Sequence, residues 1–248
     1  MITATTRLVA LLGHPVAHSL SPRMQNAAFA ARALDWAYVA CDVAPERLAD
    51  AVAGLRALGF AGANVTIPHK GAAAELCDEL DDLARRSRAV NTLTFDERRG
   101  VVGANTDGPA VAGSVEAAGA SVLVLGRGGA AQSAAVALED AGAASVRFAS
   151  RGDDGWPPEP GDATILVNAT PLRDEVPVAP RPGDQVVDLA YRPDGRPTAL
   201  VAAARAAGCR TVVDGLEILV RQGAASFELW TGVPAPLDVM RAAIARIV

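Results

Sequence analysis

Two ionisable residues stand where short apolar runs give way to polar turns. Lys70 ends the segment Asn64-Val65-Thr66-Ile67-Pro68-His69-Lys70, and Asp107 lies in Gly103-Ala104-Asn105-Thr106-Asp107-Gly108. An ammonium and a carboxylate brought together can pass a proton to or from a reacting oxygen, the carboxylate holding the ammonium and tuning its pKa. Each also has an ordinary explanation, since a lone lysine is most often solvated and Asn-Thr-Asp-Gly is equally a turn-and-cap signature. Two hydroxyls, Ser19 and Ser21, fall in Gly13-His14-Pro15-Val16-Ala17-His18-Ser19-Leu20-Ser21-Pro22, just ahead of a helix that Pro22 can begin. There they can bind a carboxylate with help from the helix's positive end. Helix capping is the plain alternative for Ser21, and it leaves Ser19 unexplained.

A second constellation points to a cofactor. Gly126-Arg127-Gly128-Gly129-Ala130-Ala131 fits G-x-G-x-x-A, with the apolar run Ser121–Leu125 before it and a helical pattern after it through Ala141. In that context the loop's N–H groups can face a pyrophosphate; an ordinary tight turn is the alternative. About twenty residues past the first glycine an NAD site normally offers an acid to the ribose hydroxyls, but here the chain reads Ser150-Arg151-Gly152. A charge-assisted hydrogen bond is worth about 1.5–3 kcal/mol, so Arg151 on a 2′-phosphate would favour NADP over NAD roughly ten- to a hundredfold. Asp153 and Asp154 oppose it, which keeps NAD as the alternative. Hydride exchange at an alcohol carbon also requires a proton to move on the oxygen, the task Lys70 and Asp107 would share.

Positioning these groups calls for an α/β fold, because short apolar runs alternate with alanine-rich helical stretches. The pattern predicts strands at Leu8–Leu12, Tyr38–Asp42, Gly62–Thr66, Val90–Phe95 and Val101–Asn105, with helices at Pro22–Leu34, Pro45–Leu58 and Leu80–Arg86. A βαβ unit then spans Ser121–Ala149, followed by strands at Thr164–Val167, Gln185–Leu189 and Thr211–Val213 and helices at Gly215–Trp230 and Pro236–Ile247. Trp156–Pro160 and Asp174–Pro182 read as surface loops. At 248 residues the chain is long enough for two modest domains.

Bulk properties exclude other classes. A net charge of −5 with scattered arginines argues against nucleic acid as a partner, and no apolar run is long enough for a membrane span. The N-terminus lacks the order of a secretory signal, so the cytoplasm is expected. Cys41, Cys77 and Cys209 are far apart and odd in number, which suggests buried free thiols. His14 and His18 are four apart, but Pro15 breaks the helix that would align them, and no metal is expected.

Taken in order, these segments resemble the shikimate dehydrogenase family. The likeness rests on Gly13–Pro22, Asn64–Lys70, Ala89-Val90-Asn91-Thr92-Leu93, Asn105–Gly108 and Gly126–Ala131. It continues through Leu166-Val167-Asn168-Ala169-Thr170-Pro171-Leu172, Val186-Val187-Asp188-Leu189-Ala190-Tyr191 and Asp214–Gly232. The resemblance implies reversible NADPH-dependent reduction of 3-dehydroshikimate to shikimate, a step of aromatic amino acid biosynthesis. A Rossmann-type NADP-binding domain, 108–221, would face across a cleft an α/β substrate-binding and catalytic domain made of 1–107 plus 222–248. It further implies that Lys70 and Asp107 are the catalytic pair and that Ser19 and Ser21 bind the ring carboxylate. Asn64, Thr66, Asn91 and Gln222 would hold ring hydroxyls. Gly126, Gly128, Gly129, Ala130, Ser150 and Arg151 would line the NADP site, with Asn168, Thr170 and Gly215 near the nicotinamide.

Departures from the family pattern gather at the cofactor side. Ser150-Arg151-Gly152 replaces the usual Asn-Arg-Thr, a second arginine common shortly after it is absent, and Arg127 and Arg173 stand where alanine and glycine are frequent. Quinate/shikimate and aminoshikimate dehydrogenases using NAD or NADP are the sister activities; Ser21, often threonine in quinate-preferring relatives, leans toward shikimate. A catalytically silent ligand-binding relative would not need both Lys70 and Asp107. The protein is expected to act on a small molecule as a monomer or homodimer.

Overall fold

The computed structural model describes residues 2–245. It contains two compact units, one formed by the chain up to Thr106 with the stretch from Val220 onward, the other by Asp107–Leu219.

The first unit is built on β1 (Arg7–Gly13), β2 (Trp36–Asp42), β3 (Gly62–Val65), β4 (Glu79–Leu80), β5 (Thr92–Asp96) and β6 (Gly100–Ala104), in the order β2-β1-β3-β5-β6-β4. β1 pairs in parallel with β2 and β3, whereas β5 runs antiparallel to both β3 and β6. The start of β5 therefore lies at the same edge as the ends of β3 and β6. Successive residues of β3 face opposite sides of the sheet. Ala63 joins a core with Ala10, Leu12, Leu48, Val52, Leu55 and Leu93, under the helix α2 (Leu48–Ala57). A side chain at Gly62 would collide with Trp230 of α8 (Gly215–Thr231) on the other side. There Phe29 of α1 (Ser21–Ala31) stacks on Phe227 at 5.3 Å, and α9 (Leu237–Ala245) packs on α1.

The second unit holds β7 (Ser121–Leu125), β8 (Ser145–Ala149), β9 (Ile165–Asn168), β10 (Gln185–Asp188) and β11 (Thr211–Val213), all parallel in the order β11-β10-β9-β7-β8. The strand sequence reverses between β7 and β9, the kind of point at which doubly wound sheets bind ligands beyond their carboxyl ends. This is the expected α/β Rossmann-type unit. One face is covered by α5 (Asp107–Ala112), α6 (Gly129–Asp140) and Ile218. The other carries one helix, α7 (Ala199–Ala206), because residues 150–164 and 169–184 cross over without helical structure. Trp156 and Val178 from these crossovers fill the gap against Leu123, Leu125, Leu166 and Val186.

The expected strands form, with edges shifted by a residue or two. The helix expected at Leu80–Arg86 becomes β4 followed by α4 (Asp82–Ser87), because Asp81 accepts from the Ala84 N–H at 2.6 Å and fixes the start. The one expected at Pro45–Leu58 opens as a 3-10 turn over Pro45–Arg47 before α2. Ser21 is not the N-cap: α1 begins at Ser21 with Leu20 at the cap, and it is Ser19 Oγ that accepts from the Ser21 N–H at 3.2 Å. The cysteines are free but only half-buried, a correction to the buried reading. Burial and the neighbouring Asp78 push Cys77 up to about 12. The last residues of the helix expected at Pro236–Ile247 lie outside the described residues.

Candidate active site and dinucleotide loop

In the first unit the polar side chains gather where β1, β3 and β6 end and β5 begins. Asn64 pairs with Thr92 across β3 and β5, and Thr92 with Ala104 across β5 and β6, so the three strand ends are in register. Asn64 is buried; its amide nitrogen donates to Asn91 O (3.0 Å), Thr92 Oγ1 (3.1 Å) and Ser226 Oγ (2.9 Å), while its Oδ1 accepts from the Tyr38 hydroxyl (2.8 Å). Asn91 donates to Thr106 Oγ1 (2.8 Å) and Gln222 Oε1 (3.3 Å) and accepts from the Thr106 N–H (2.8 Å). Ser226 stands one helical turn after Gln222 and donates to its carbonyl at 3.0 Å. Of the residues expected to hold ring hydroxyls, Asn64, Asn91 and Gln222 thus belong to one hydrogen-bonded network, and Thr66 lies partly exposed just after β3.

Lys70 opens α3 (Lys70–Glu75), reached from β3 by a tight turn. The turn is fastened by Thr66 N–H to Leu12 O (2.9 Å), by His69 N–H to Thr66 O (2.9 Å) and by the buried His69 ring, whose Nε2 meets Val43 O at 2.8 Å. The Lys70 carbonyl accepts from the Val90 N–H at 2.9 Å, tying its backbone to the residue before Asn91. The Ser19 and Ser21 loop leaves β1 beside this turn, where His14 N–H donates to Ile67 O at 3.0 Å. Ser21 is buried and Ser19 half-buried. Asp107 follows Thr106 directly and begins α5 in the second unit, buried.

In the second unit Leu125, Ala149, Asn168 and Asp188 form a row at the carboxyl ends of the strands. Gly126 turns the chain out of β7 with φ of +105°, and a Cβ there would come within 3.2 Å of Ala169 O, so a glycine is required. Gly128 is the N-cap of α6 and offers no side-chain acceptor, which leaves the helix's first N–H groups facing the loop mouth with Gly129 and Ala130. This cradle fits a pyrophosphate. Beyond β8, Arg127 donates to Asp153 (2.8 Å) and lies 3.4 Å from Ser150 Oγ, and Arg151 donates to both Glu175 oxygens (2.9 and 3.0 Å). The Arg127 guanidinium and Ser150 hold the Asp153 carboxyl below the usual carboxylate range.

Asn168 and Thr170 are joined, Oγ1 donating to Oδ1 at 2.6 Å, and Asn168 Nδ2 donates to Asp188 at 2.8 Å. Asp188 also accepts from Ala190 N–H at 3.0 Å and from the Thr198 hydroxyl, and burial pushes its pKa up to about 6. Gly215 starts α8 against the Ala190 carbonyl, where a Cβ would stand 2.4 Å from the oxygen. Sequence reasoning left out Tyr38, Ser226 and Asp188. Ser226 was visible as the i+4 neighbour of Gln222, and Asp188 as an acid ending an apolar strand. Among the described residues no three His, Cys, Asp or Glu side chains gather as a metal site, and no helix is long and apolar enough to cross a membrane.

Residues 11–93 match the family model for the shikimate dehydrogenase substrate binding domain, and residues 215–245 that for the shikimate 5'-dehydrogenase C-terminal domain. The shikimate dehydrogenase (NADP(+)) of Moorella thermoacetica is 44% identical, over 96% of this chain and 92% of its own. The chain belongs to the shikimate dehydrogenase family. Shikimate dehydrogenase from Thermus thermophilus, solved in complex with NADP(H) and shikimate, superposes with a TM-score of 0.82 at 34% identity, covering 96% of this chain and 98% of that one. The fold is shared more widely: ligand-free 5-ketofructose reductase from a Gluconobacter strain gives a TM-score of 0.83 at 30% identity, over 98% of this chain and 99% of its own. The Moorella alignment runs to 277 positions against 248 residues here, so that relative carries segments this chain lacks.

Proposed function

We propose that this chain catalyses the reversible reduction of 3-dehydroshikimate to shikimate with NADPH, on a substrate site in the first unit and a dinucleotide site in the second. The observation that carries the reading is the buried network of Asn64, Asn91, Thr106, Gln222 and Ser226 at the strand edge that also bears Lys70. It supplies fixed amide and hydroxyl groups, the chemistry that recognises a polyhydroxylated ring. Relatives named for the same NADP-dependent reaction support it across nearly the full chain.

On this reading Ser19 and Ser21 hold the ring carboxylate, and Thr66, Asn64, Asn91 and Gln222 orient the ring hydroxyls. When bound, the dinucleotide would supply the hydride for the carbonyl carbon. Lys70 gives its proton to the carbonyl oxygen as that oxygen gains negative charge, and in the oxidative direction takes the hydroxyl proton back. Asp107 holds the ammonium by a charge-assisted hydrogen bond and aims it. Gly126, Gly128, Gly129 and Ala130 cradle the pyrophosphate; Ser150 and Arg151 meet the adenosine ribose; Asn168, Thr170 and Gly215 frame the nicotinamide. The enzyme works in the cytoplasm.

Initial rates for shikimate, quinate and aminoshikimate with NADP+ and with NAD+, followed at the nicotinamide absorbance, test the assignment. The highest kcat/KM is expected for shikimate with NADP+, and a preference for either other acid overturns the substrate. Lys70→Ala is expected to lower kcat by about 10²–10⁴ with shikimate Kd nearly unchanged. A full-speed variant would remove the proton relay.

A further inference from the structure

We propose that Arg127 adapts this chain to a 2′-phosphorylated adenosine by neutralising Asp153 and presenting a second cation beside Arg151. The inference rests on the NADP reading above and deepens it.

The end of the second strand of a dinucleotide fold is where the ribose 2′ substituent is read, an acid there accepting a 2′-hydroxyl and an arginine accommodating a 2′-phosphate. This chain has both. The acid is Asp153, three residues later than Ser150, folded back so that its carboxylate accepts from the Ser150 N–H at 2.9 Å and from the Ser150 hydroxyl at 3.0 Å. Left alone it would receive a ribose hydroxyl and repel a phosphate dianion. Arg127 changes the balance: it rises from the loop after β7, reaches across to the end of β8 and caps the Asp153 carboxylate at 2.8 Å. Its side chain stays about half exposed, 54%, so the guanidinium edge turned away from Asp153 remains accessible.

Charge counting gives the same answer. Arg151 is matched by Glu175 and Arg127 by Asp153, so these four groups sum to zero, and removing Arg127 leaves them at −1, with the Asp153 carboxylate held by Ser150 alone. An exposed ion pair is worth little to stability. Toward a phosphate, by contrast, an arginine offers charge-assisted and often bidentate hydrogen bonds.

The test is calorimetric titration of the full chain with adenosine 2′,5′-bisphosphate and with adenosine 5′-monophosphate, ligands that differ only in the 2′-phosphate. Arg127→Gln is expected to weaken the bisphosphate roughly ten- to a hundredfold and the monophosphate by no more than about twofold. In an Asp153→Asn background the same change should cost several-fold less, because the repulsion it unmasks is gone. Arg127→Lys should fall between Gln and wild type. Equal loss of both ligands, or loss of neither, overturns the role of Arg127 while leaving the dinucleotide reading intact. If the unaltered chain binds neither ligand, or prefers the monophosphate, the cofactor reading fails and takes this inference with it.

Discussion

Asp188 is fully buried, yet every bond it makes is to a neutral donor: Asn168, the Ala190 N–H and Thr198. Burial is the dominant influence and raises its pKa to about 6 in the fold, against an ordinary 3.8. Between those values the native chain holds a proton that the unfolded chain has released, so this group makes stability fall as pH rises from about 4 to 6 and level off above. The accumulated cost approaches roughly 3 kcal/mol. Urea unfolding of Asp188→Asn should lack this slope between pH 4 and 7; an unchanged slope would assign it to other groups. Ser226 gives a second residue-scale expectation. Ser226→Ala deprives the Asn64 amide and the Thr92 hydroxyl of a partner in a site without exposed alternatives. It should cost about 1–3 kcal/mol in chemical denaturation and raise the shikimate KM more than it lowers kcat. The dinucleotide loop was legible because glycines spaced this way between an apolar run and a helix have few other uses, whereas Lys70 and Asp107 each had an ordinary explanation until their segments were taken together. The groups that complete the Asn64 network were less so, since nothing in Tyr38 as a residue type distinguishes a network member from an ordinary strand residue.

At the level of elements, strands were readable from runs such as Ser-Val-Leu-Val-Leu, buried on both faces of a parallel sheet. Helices α3 and α5 are six residues each, too short to show a 3.6-residue period, and α7 is hidden by alanine monotony until Thr198 is seen to accept from the Val201 N–H. A parallel crossover usually takes a helix. The β8-to-β9 connection dispenses with one, pinned by Arg147 donating to Glu159 O (2.8 Å) and Pro160 O (2.6 Å) and packed through Trp156. Trp156→Ala should therefore lower stability by about 1–3 kcal/mol, short of the cost at a fully enclosed site because the indole is only partly buried. Gly215→Ala, by contrast, forces backbone apart where α8 begins and should lower both melting temperature and affinity for the dinucleotide.

For the whole molecule, the net charge of −5 provides no long-range attraction for anionic ligands, so on the proposed reading their capture falls to local donors such as the α6 N-terminus, Arg127 and Arg151. NADP+ at a hundredfold its Kd should add about 2.7 kcal/mol to stability, and NAD+ at the same concentration less; thermal unfolding with each cofactor reads the difference directly. The helix-free crossover has one more consequence. Its Trp156 is the lone indole of the unit Asp107–Leu219, while Trp36 and Trp230 both belong to the other. Replacing those two by phenylalanine would leave a single indole beside the nucleotide-binding sheet, whose emission, excited apart from the tyrosines, would shift red as that half loosens, whatever becomes of its companion.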